Sequence, residues 1–244
     1  MRAAAFIRAN TCLAAPPLVP EITLHLAAEP IALWERTERD AGQAGLPPPF
    51  WAFPWAGGQV LARYLLDHPE CTAGRAVLDL AAGSGLVAIA AAKTGAVSVT
   101  ASDTDPLAAA ATRLNAAVNG VTLTATVGDI LDGGILDGGI LDGGTRDSGT
   151  RDSGTRDGGM RGGGIDGPDV VLAGDAFYEK PMADRVLPFL ERARAAGALV
   201  LVGDPGRAYL PRDCFAAVAT YDVPVSRALE NAAIKRTTVW RLSR

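Results

Sequence analysis

The sequence predicts an α/β chain of the Rossmann-like class, a mostly parallel sheet with helices on both faces. Three observations carry that expectation. An apolar run, 76–80, holds one carboxylate, Asp79, and leads into the small-residue loop Ala81-Ala82-Gly83-Ser84-Gly85 and an alanine-rich helix, 86–93. A second apolar run, 97–101, delivers Asp103 about twenty residues beyond the loop, the spacing of a nucleoside-binding βαβ unit. Further on, short apolar runs and longer amphipathic segments keep alternating, the pattern of a parallel sheet covered on both sides.

Taken in order, residues 1–45 read as helical, with a break at Pro16-Pro17 and a second helix over 29–43 that carries Leu33 and Trp34 among charges. Leu46-Pro47-Pro48-Pro49-Phe50 is extended, because each proline removes a backbone donor and restricts the residue before it. A short helix follows over 57–66, with Val60, Leu61, Tyr64 and Leu65 as its apolar stripe. Strand 76–80, helix 86–93, strand 97–101, helix 106–119 and strand 121–127 come next. After an interruption there follow strand 169–173, helix 182–195, strand 198–202 and a terminal pair near 214–222 and 236–242. Residues 1–75 are thus expected to form an N-terminal helical extension and lid, and 76–244 the core.

The interruption is a repeat. Ile130-Leu131-Asp132-Gly133-Gly134 recurs at 135–139 and 140–144, and Thr145-Arg146-Asp147-Ser148-Gly149 recurs at 150–154 and, with Gly158 for serine, at 155–159. A five-residue period with two glycines buries no continuous core, so 130–164 is expected to be a flexible insertion. The spacing matches neither an EF-hand loop nor a nine-residue β-helix repeat, so no calcium site is assigned.

Composition narrows the function classes. In 244 residues, 48% are hydrophobic, yet no uninterrupted apolar stretch reaches membrane-spanning length. The formal net charge of -4 argues against a general nucleic-acid binder. Cys12, Cys71 and Cys214 are odd in number and lack metal-ligand spacing, which suits reduced thiols in a cytoplasmic compartment. The alanine-rich N-terminus with Arg2 and Arg8 lacks the serine content of a transit peptide. His25 and His68 have neither triad partners nor ligand spacing, and no metal is expected.

Two ligands compete for the βαβ unit, a dinucleotide and S-adenosylmethionine. The third-glycine position is Ala88, a tolerated variant that decides nothing. Asp79 decides more: a carboxylate beside the loop suits the ammonium of an amino-acid moiety and is awkward next to a pyrophosphate. Gly83 and Gly85 let the backbone approach the ligand, and Asp103 can hold both ribose hydroxyls. Asp129, after the third strand, is placed to accept from an adenine amino group, although a turn-forming aspartate would look the same. Asp175 and Tyr178 leave the carboxyl end of strand 169–173, where they could orient an incoming amine. Trp51 and Trp55, before Gly57-Gly58, could form a lid, and Arg207 in Gly203-Asp204-Pro205-Gly206-Arg207 could contact a carboxylate.

Together, Pro49-Phe50-Trp51-Ala52, Trp55-Ala56-Gly57-Gly58-Gln59, Val77 to Gly85, Asp103-Thr104-Asp105-Pro106, Gly174-Asp175-Ala176-Phe177-Tyr178, Gly203 to Arg207 and Thr237-Thr238-Val239-Trp240 resemble the electron-transfer flavoprotein beta-subunit lysine methyltransferases. The resemblance spans nearly the whole chain apart from the repeats. It implies a class I, seven-stranded methyltransferase sheet with an antiparallel last strand, S-adenosylmethionine as cofactor and lysines of the flavoprotein beta subunit as substrate. The family's Asp-x-x-Tyr motif falls on Asp175 and Tyr178, which it implies are catalytic. Ala81 departs from the family's Asp-x-Gly-x-Gly-x-Gly, with alanine at the first glycine. The residues themselves leave open a small-molecule amine as acceptor, a nicotinamide-dependent oxidoreductase, or a module that binds without catalysis.

Overall fold

Side chains alternate along the central strands, and both sets are buried, which decides how the chain is layered. The computed structural model describes residues 3–132 and 167–243. In β3 (Ala76–Leu80), Val77 faces one apolar cluster while Leu78 and Leu80 face another. In β6 (Val170–Gly174), Val170 and Leu172 go one way and Val171 and Ala173 the other. Helices α3 (Ala56–Asp67) and α4 (Leu86–Lys93) cover the first face, and α6 (Lys180–Ala195) covers the second.

The remaining strands are β4 (Ser98–Asp103), β5 (Thr124–Val127), β7 (Leu199–Asp204), β8 (Phe215–Pro224) and β9 (Ile234–Leu242). They form one seven-stranded sheet in the order β5-β4-β3-β6-β7-β9-β8. β3 to β7 are parallel, β9 runs antiparallel to β7, and β8 runs antiparallel to β9. This is the Rossmann-like methyltransferase sheet that the sequence predicts. Helix α5 (Pro106–Val118) starts on its own cap: Asp105 accepts from Leu107 N at 2.8 Å, and Pro106 occupies the first turn, where no donor is lost.

The N-terminal region differs from the helical expectation. After α1 (Ala3–Asn10), residues Cys12–Ala14 form β1, not helix, and pair antiparallel with β2 (Leu24–Leu26). Pro16-Pro17, where helix cannot continue, sits in the connection between the two strands of this ribbon. Helix α2 (Pro30–Ala41) ends at Gly42, whose φ of 65° is left-handed. Ile7, Trp51, Ala52 and Phe53 then pack against Ala108 and Ala111 of α5. Strand β5 begins three residues later than 121, because Val121 N bonds instead to Ala116 O and closes α5.

Three glycines set how closely α3 approaches the sheet. A Cβ on Gly57 would overlap the Gly203 carbonyl and the Asp175 side chain, and one on Gly203 would overlap the Gly57 carbonyl. A Cβ on Gly174 would lie 2.9 Å from Gly58 Cα. The start of α3 therefore rests backbone to backbone on the ends of β6 and β7. Among the described residues no helix is long and apolar enough to cross a membrane, and no group of three or more acids, histidines and cysteines could hold a metal. Most of the repeat read as a flexible insertion, from Gly133 on, lies outside the described residues.

Candidate active site

The sheet turns in opposite directions on either side of β3 and β6: β4 and β5 continue to one edge, β7 to the other. Ligand crevices form at such a switch point, beyond the carboxyl ends of the strands. A cavity of about 550 Å³ lies there. The residues that follow the two strands, Ala81 and Asp175, both have φ of 54°, so each strand leaves the sheet through a left-handed non-glycine residue. Such a residue costs about 1 kcal/mol or more.

Asp79 lines the cavity and is 1% exposed. One oxygen, Oδ2, accepts from Ala88 N in the first turn of α4 at 2.9 Å. Its other oxygen has no protein donor among the described residues. Burial lifts the carboxyl to about 8, against the pull of the Ala88 N–H. Asp103 also lines the cavity; its Oδ2 accepts from Gly83 N and its Oδ1 from Asp105 N, both at 2.9 Å. Gly83, at φ 53°, lines the cavity beside Phe50 and Trp51. Gly85 is placed differently from a ligand-facing glycine. It starts α4 at φ 77°, and a Cβ on it would lie 2.7 Å from the Thr112 side chain, so it serves the turn and the packing beneath the loop.

Asp129 is not in the lining of this cavity. It lies in an adjoining pocket of about 330 Å³ that also includes Ser102 and Asp103. Its Oδ2 is 2.7 Å from Arg185 Nη1, and that bond holds its carboxyl below the usual range. Arg185 also reaches Asp132, and Arg192 donates to Leu131 O, so α6 fixes the start of the repeat. Asp129 is thus an ion-pair partner first, which its position in the sequence did not reveal.

The amine side of the site departs most from expectation. Asp175 is 8% exposed, and both of its oxygens are engaged by the protein. Oδ2 accepts from Gly57 N at 2.5 Å and Gly58 N at 3.2 Å; Oδ1 accepts from Arg207 Nη2 at 2.7 Å and Nε at 3.2 Å. Burial pushes its carboxyl up to about 6 against the attraction of Arg207. Arg207 continues to Glu230 at 3.1 Å, and Lys235 reaches Glu230 at 2.7 Å, giving a chain of alternating charges behind the cavity wall. Direct grip on a substrate ammonium, the task expected of Asp175, would therefore have to displace donors that it already holds. Glu230 and Lys235 gave no signal in the sequence, because neither sits in a motif.

Tyr178 is 40% exposed and lines the cavity, its ring 5.3 Å from that of Phe50. Burial of its hydroxyl raises the phenol above its ordinary range, so it carries its proton at neutral pH. Phe50 is in turn 5.7 Å from Trp55, whose Nε1 donates to Phe50 O at 2.9 Å. The tryptophan segment thus forms an aromatic wall, while Gly57 and Gly58 supply amides to Asp175. Trp51 Nε1 is buried in the cavity lining without a partner among the described residues, and Ser102 Oγ is in the same state in the adjoining pocket. An acceptor left open on Asp79 and two orphaned polar groups are what a nucleoside with an ammonium group would satisfy. The residues fit S-adenosylmethionine.

Comparisons with known proteins agree with this geometry. The family model for ribosomal protein L11 methyltransferase (PrmA) matches residues 61–140. The electron transfer flavoprotein beta subunit lysine methyltransferase of Danio rerio is 36% identical over 229 residues, covering 92% of this chain and 76% of that protein. The Homo sapiens protein of the same name is 32% identical over 246 residues, covering 97% and 80%. Among solved structures, a T. thermophilus 16S rRNA methyltransferase in complex with AdoMet and guanosine shares the fold, with a TM-score of 0.51, 17% identity and coverage of 96% of this chain and 50% of that one. With a methyltransferase sheet, a cavity at its switch point and relatives this similar along most of its length, the chain belongs to the electron transfer flavoprotein beta subunit lysine methyltransferase family, whose enzymes use S-adenosylmethionine.

Proposed function

We propose that this enzyme methylates lysine side chains of the electron transfer flavoprotein beta subunit. The observation that carries the reading is identity of 32–36% over more than nine-tenths of the chain with proteins of that name. The bound cofactor supplies a methyl group on a sulfonium, already attached to a good leaving group. What the chain must supply is alignment of an amine with that methyl, a task of proximity and orientation. The aromatic wall of Phe50, Trp55 and Tyr178 suits the aliphatic stem of a lysine and attracts its cationic end. Burial against that wall favours the neutral amine, whose reference pKa is about 10.4. Asp175, as we read it, is a positioning residue: it holds the start of α3 and Arg207 where they shape the acceptor side of the cavity. Tyr178 meets the substrate.

We assign cofactor contacts to Asp79, Gly83, Asp103 and Trp55, with Asp129 at the adjoining pocket and Gly85 acting through the turn. Residues 1–75 serve as the lid and 76–244 as the catalytic core; Pro47, Phe50 and Trp55 in the cavity lining support that division. Three free thiols suit a cytoplasmic setting, and the acidic balance favours a protein partner over nucleic acid.

The test is mass spectrometry of purified flavoprotein beta subunit after incubation with enzyme and S-adenosylmethionine. Lysine methylation that requires both enzyme and cofactor supports the reading. Methyl transfer to free lysine or nicotinamide, with none to the protein, would move the assignment to a small-molecule amine.

A further inference from the structure

The glycine-rich loop is held from below by side chains that neither the motif nor the family assignment includes. Thr112 Oγ1 donates to Gly83 O at 3.2 Å, and Asn115 Nδ2 donates to Ser84 O at 2.8 Å. Both residues lie on one face of α5, three apart, and are 1% and 0% exposed. Asparagine is a poor helix former, and a buried amide costs free energy unless its groups are paired. A threonine in a helix ordinarily turns its hydroxyl back to the carbonyl four residues earlier. Thr112 instead spends it on the loop.

The other end of Asn115 faces the N-terminal ribbon. Its Oδ1 accepts from His25 N at 2.8 Å and from His25 Nδ1 at 3.0 Å. One turn on, Asn119 Oδ1 accepts from Thr23 N at 3.0 Å, and its Nδ2 donates to Thr23 O at 2.6 Å. Two amide side chains, Asn115 in α5 and Asn119 just past its end, thus pair with the free edge of β2 and the residue before it as a neighbouring strand would. This arrangement fixes the Asn115 amide. Rotating it by 180° would set its oxygen against Ser84 O and its NH2 against the His25 N–H, so His25 must carry its proton on Nδ1.

We propose that Thr112 and Asn115 are positioning residues of the cofactor loop, and that the β1–β2 ribbon, through His25, belongs to the same brace. Gly83 and Gly85 leave the loop with wide conformational freedom, and the two carbonyl bonds remove it before the ligand arrives. The brace therefore acts on cofactor affinity and leaves methyl transfer from the bound state alone. The proposal rests on cofactor binding at this loop and not on the identity of the protein substrate.

Thr112→Val keeps the shape packed against Gly85 and removes only the hydroxyl, and Thr112→Ser restores it. His25→Phe keeps the backbone bond and removes the ring bond. Titration with S-adenosylhomocysteine should show Kd raised about fivefold in Thr112→Val and about threefold in His25→Phe, as one lost neutral hydrogen bond requires, with Thr112→Ser within about twofold of the parent. Steady-state assays should show KM for S-adenosylmethionine rising by the same factors while kcat stays constant. A Kd within twofold of the parent in both variants, or a fall in kcat with KM unchanged, would overturn the proposal, whatever the melting temperature does. The titration needs no methyl acceptor, so the result stands even if the flavoprotein proves not to be the substrate.

Discussion

Replacing Asp79 with asparagine should make the free enzyme more stable and the cofactor complex weaker. Asp79 is buried, and its carboxyl sits at about 8, against 3.8 for the free side chain. A carboxyl whose folded value is raised favours the fold while it is protonated. Its contribution is fully present below 3.8, declines as pH rises, and is gone above about 8. Just over four units at about 1.4 kcal/mol each give a difference of about 6 kcal/mol between the ends of that window. Asparagine can keep the bond from Ala88 N through its amide oxygen and has no charge to lose. Urea unfolding of both proteins at intervals from pH 4 to 9 should show the variant gaining on the parent by about 1.4 kcal/mol per pH unit, then levelling near pH 8. Binding adds a second readout. An ammonium placed beside Asp79 should drive off its proton, so calorimetric titration with S-adenosylhomocysteine at pH 7 should release protons from the parent and none from the variant. A pH-independent stability difference, or equal proton release from both proteins, would refute the placement of this carboxyl.

Other changes test separate parts of the site. Ala81→Gly should stabilise the enzyme by about 1 kcal/mol, since it relieves a left-handed alanine, with the midpoint of urea unfolding as the measure. Gly57→Ala should destabilise by about 3 kcal/mol, because the new methyl meets the Gly203 carbonyl and Asp175 and neither can withdraw; thermal melting checks it. Arg207→Ala leaves Asp175 and Glu230 without their shared cation and should cost about 3 kcal/mol, measured by urea unfolding.

The strand–loop–helix–strand from Ala76 to Asp103 was legible because its signals are local: short apolar runs, a glycine loop and a second acid at fixed spacing. Helix 86–93 and strand 76–80 fall where the periodicity places them. The ribbon of β1 and β2 was not legible, because the partner of its free edge is a pair of asparagine side chains 90 and 96 residues further on. The duty of Asp175 was hidden for the same reason. Its donors come from Gly57, 118 residues before it, and Arg207, 32 after. Motif reading names residues that matter; it does not say whether a carboxylate faces a ligand or a neighbouring loop. The meaning of Ala81 also changed. Its methyl group was the visible difference, yet the consequence lies in its backbone angle.

The contact of α3 with the ends of β6 and β7 makes the two sides of the cavity unequal as material for change. On one side, main chain meets main chain at Gly57, Gly174 and Gly203, with the Asp175 carboxylate beside Gly57 and Leu61 beside Gly203. A substitution at any one of these positions cannot be answered by a smaller residue opposite, since the nearest opposing atoms belong to the backbone. On the other side stand Phe50, Trp55 and Tyr178, which touch through rings and can be varied one at a time. If these rings meet the acceptor, as proposed above, a drift in acceptor range, by divergence or by design, enters through them, with the glycine side as the fixed jaw of the vice.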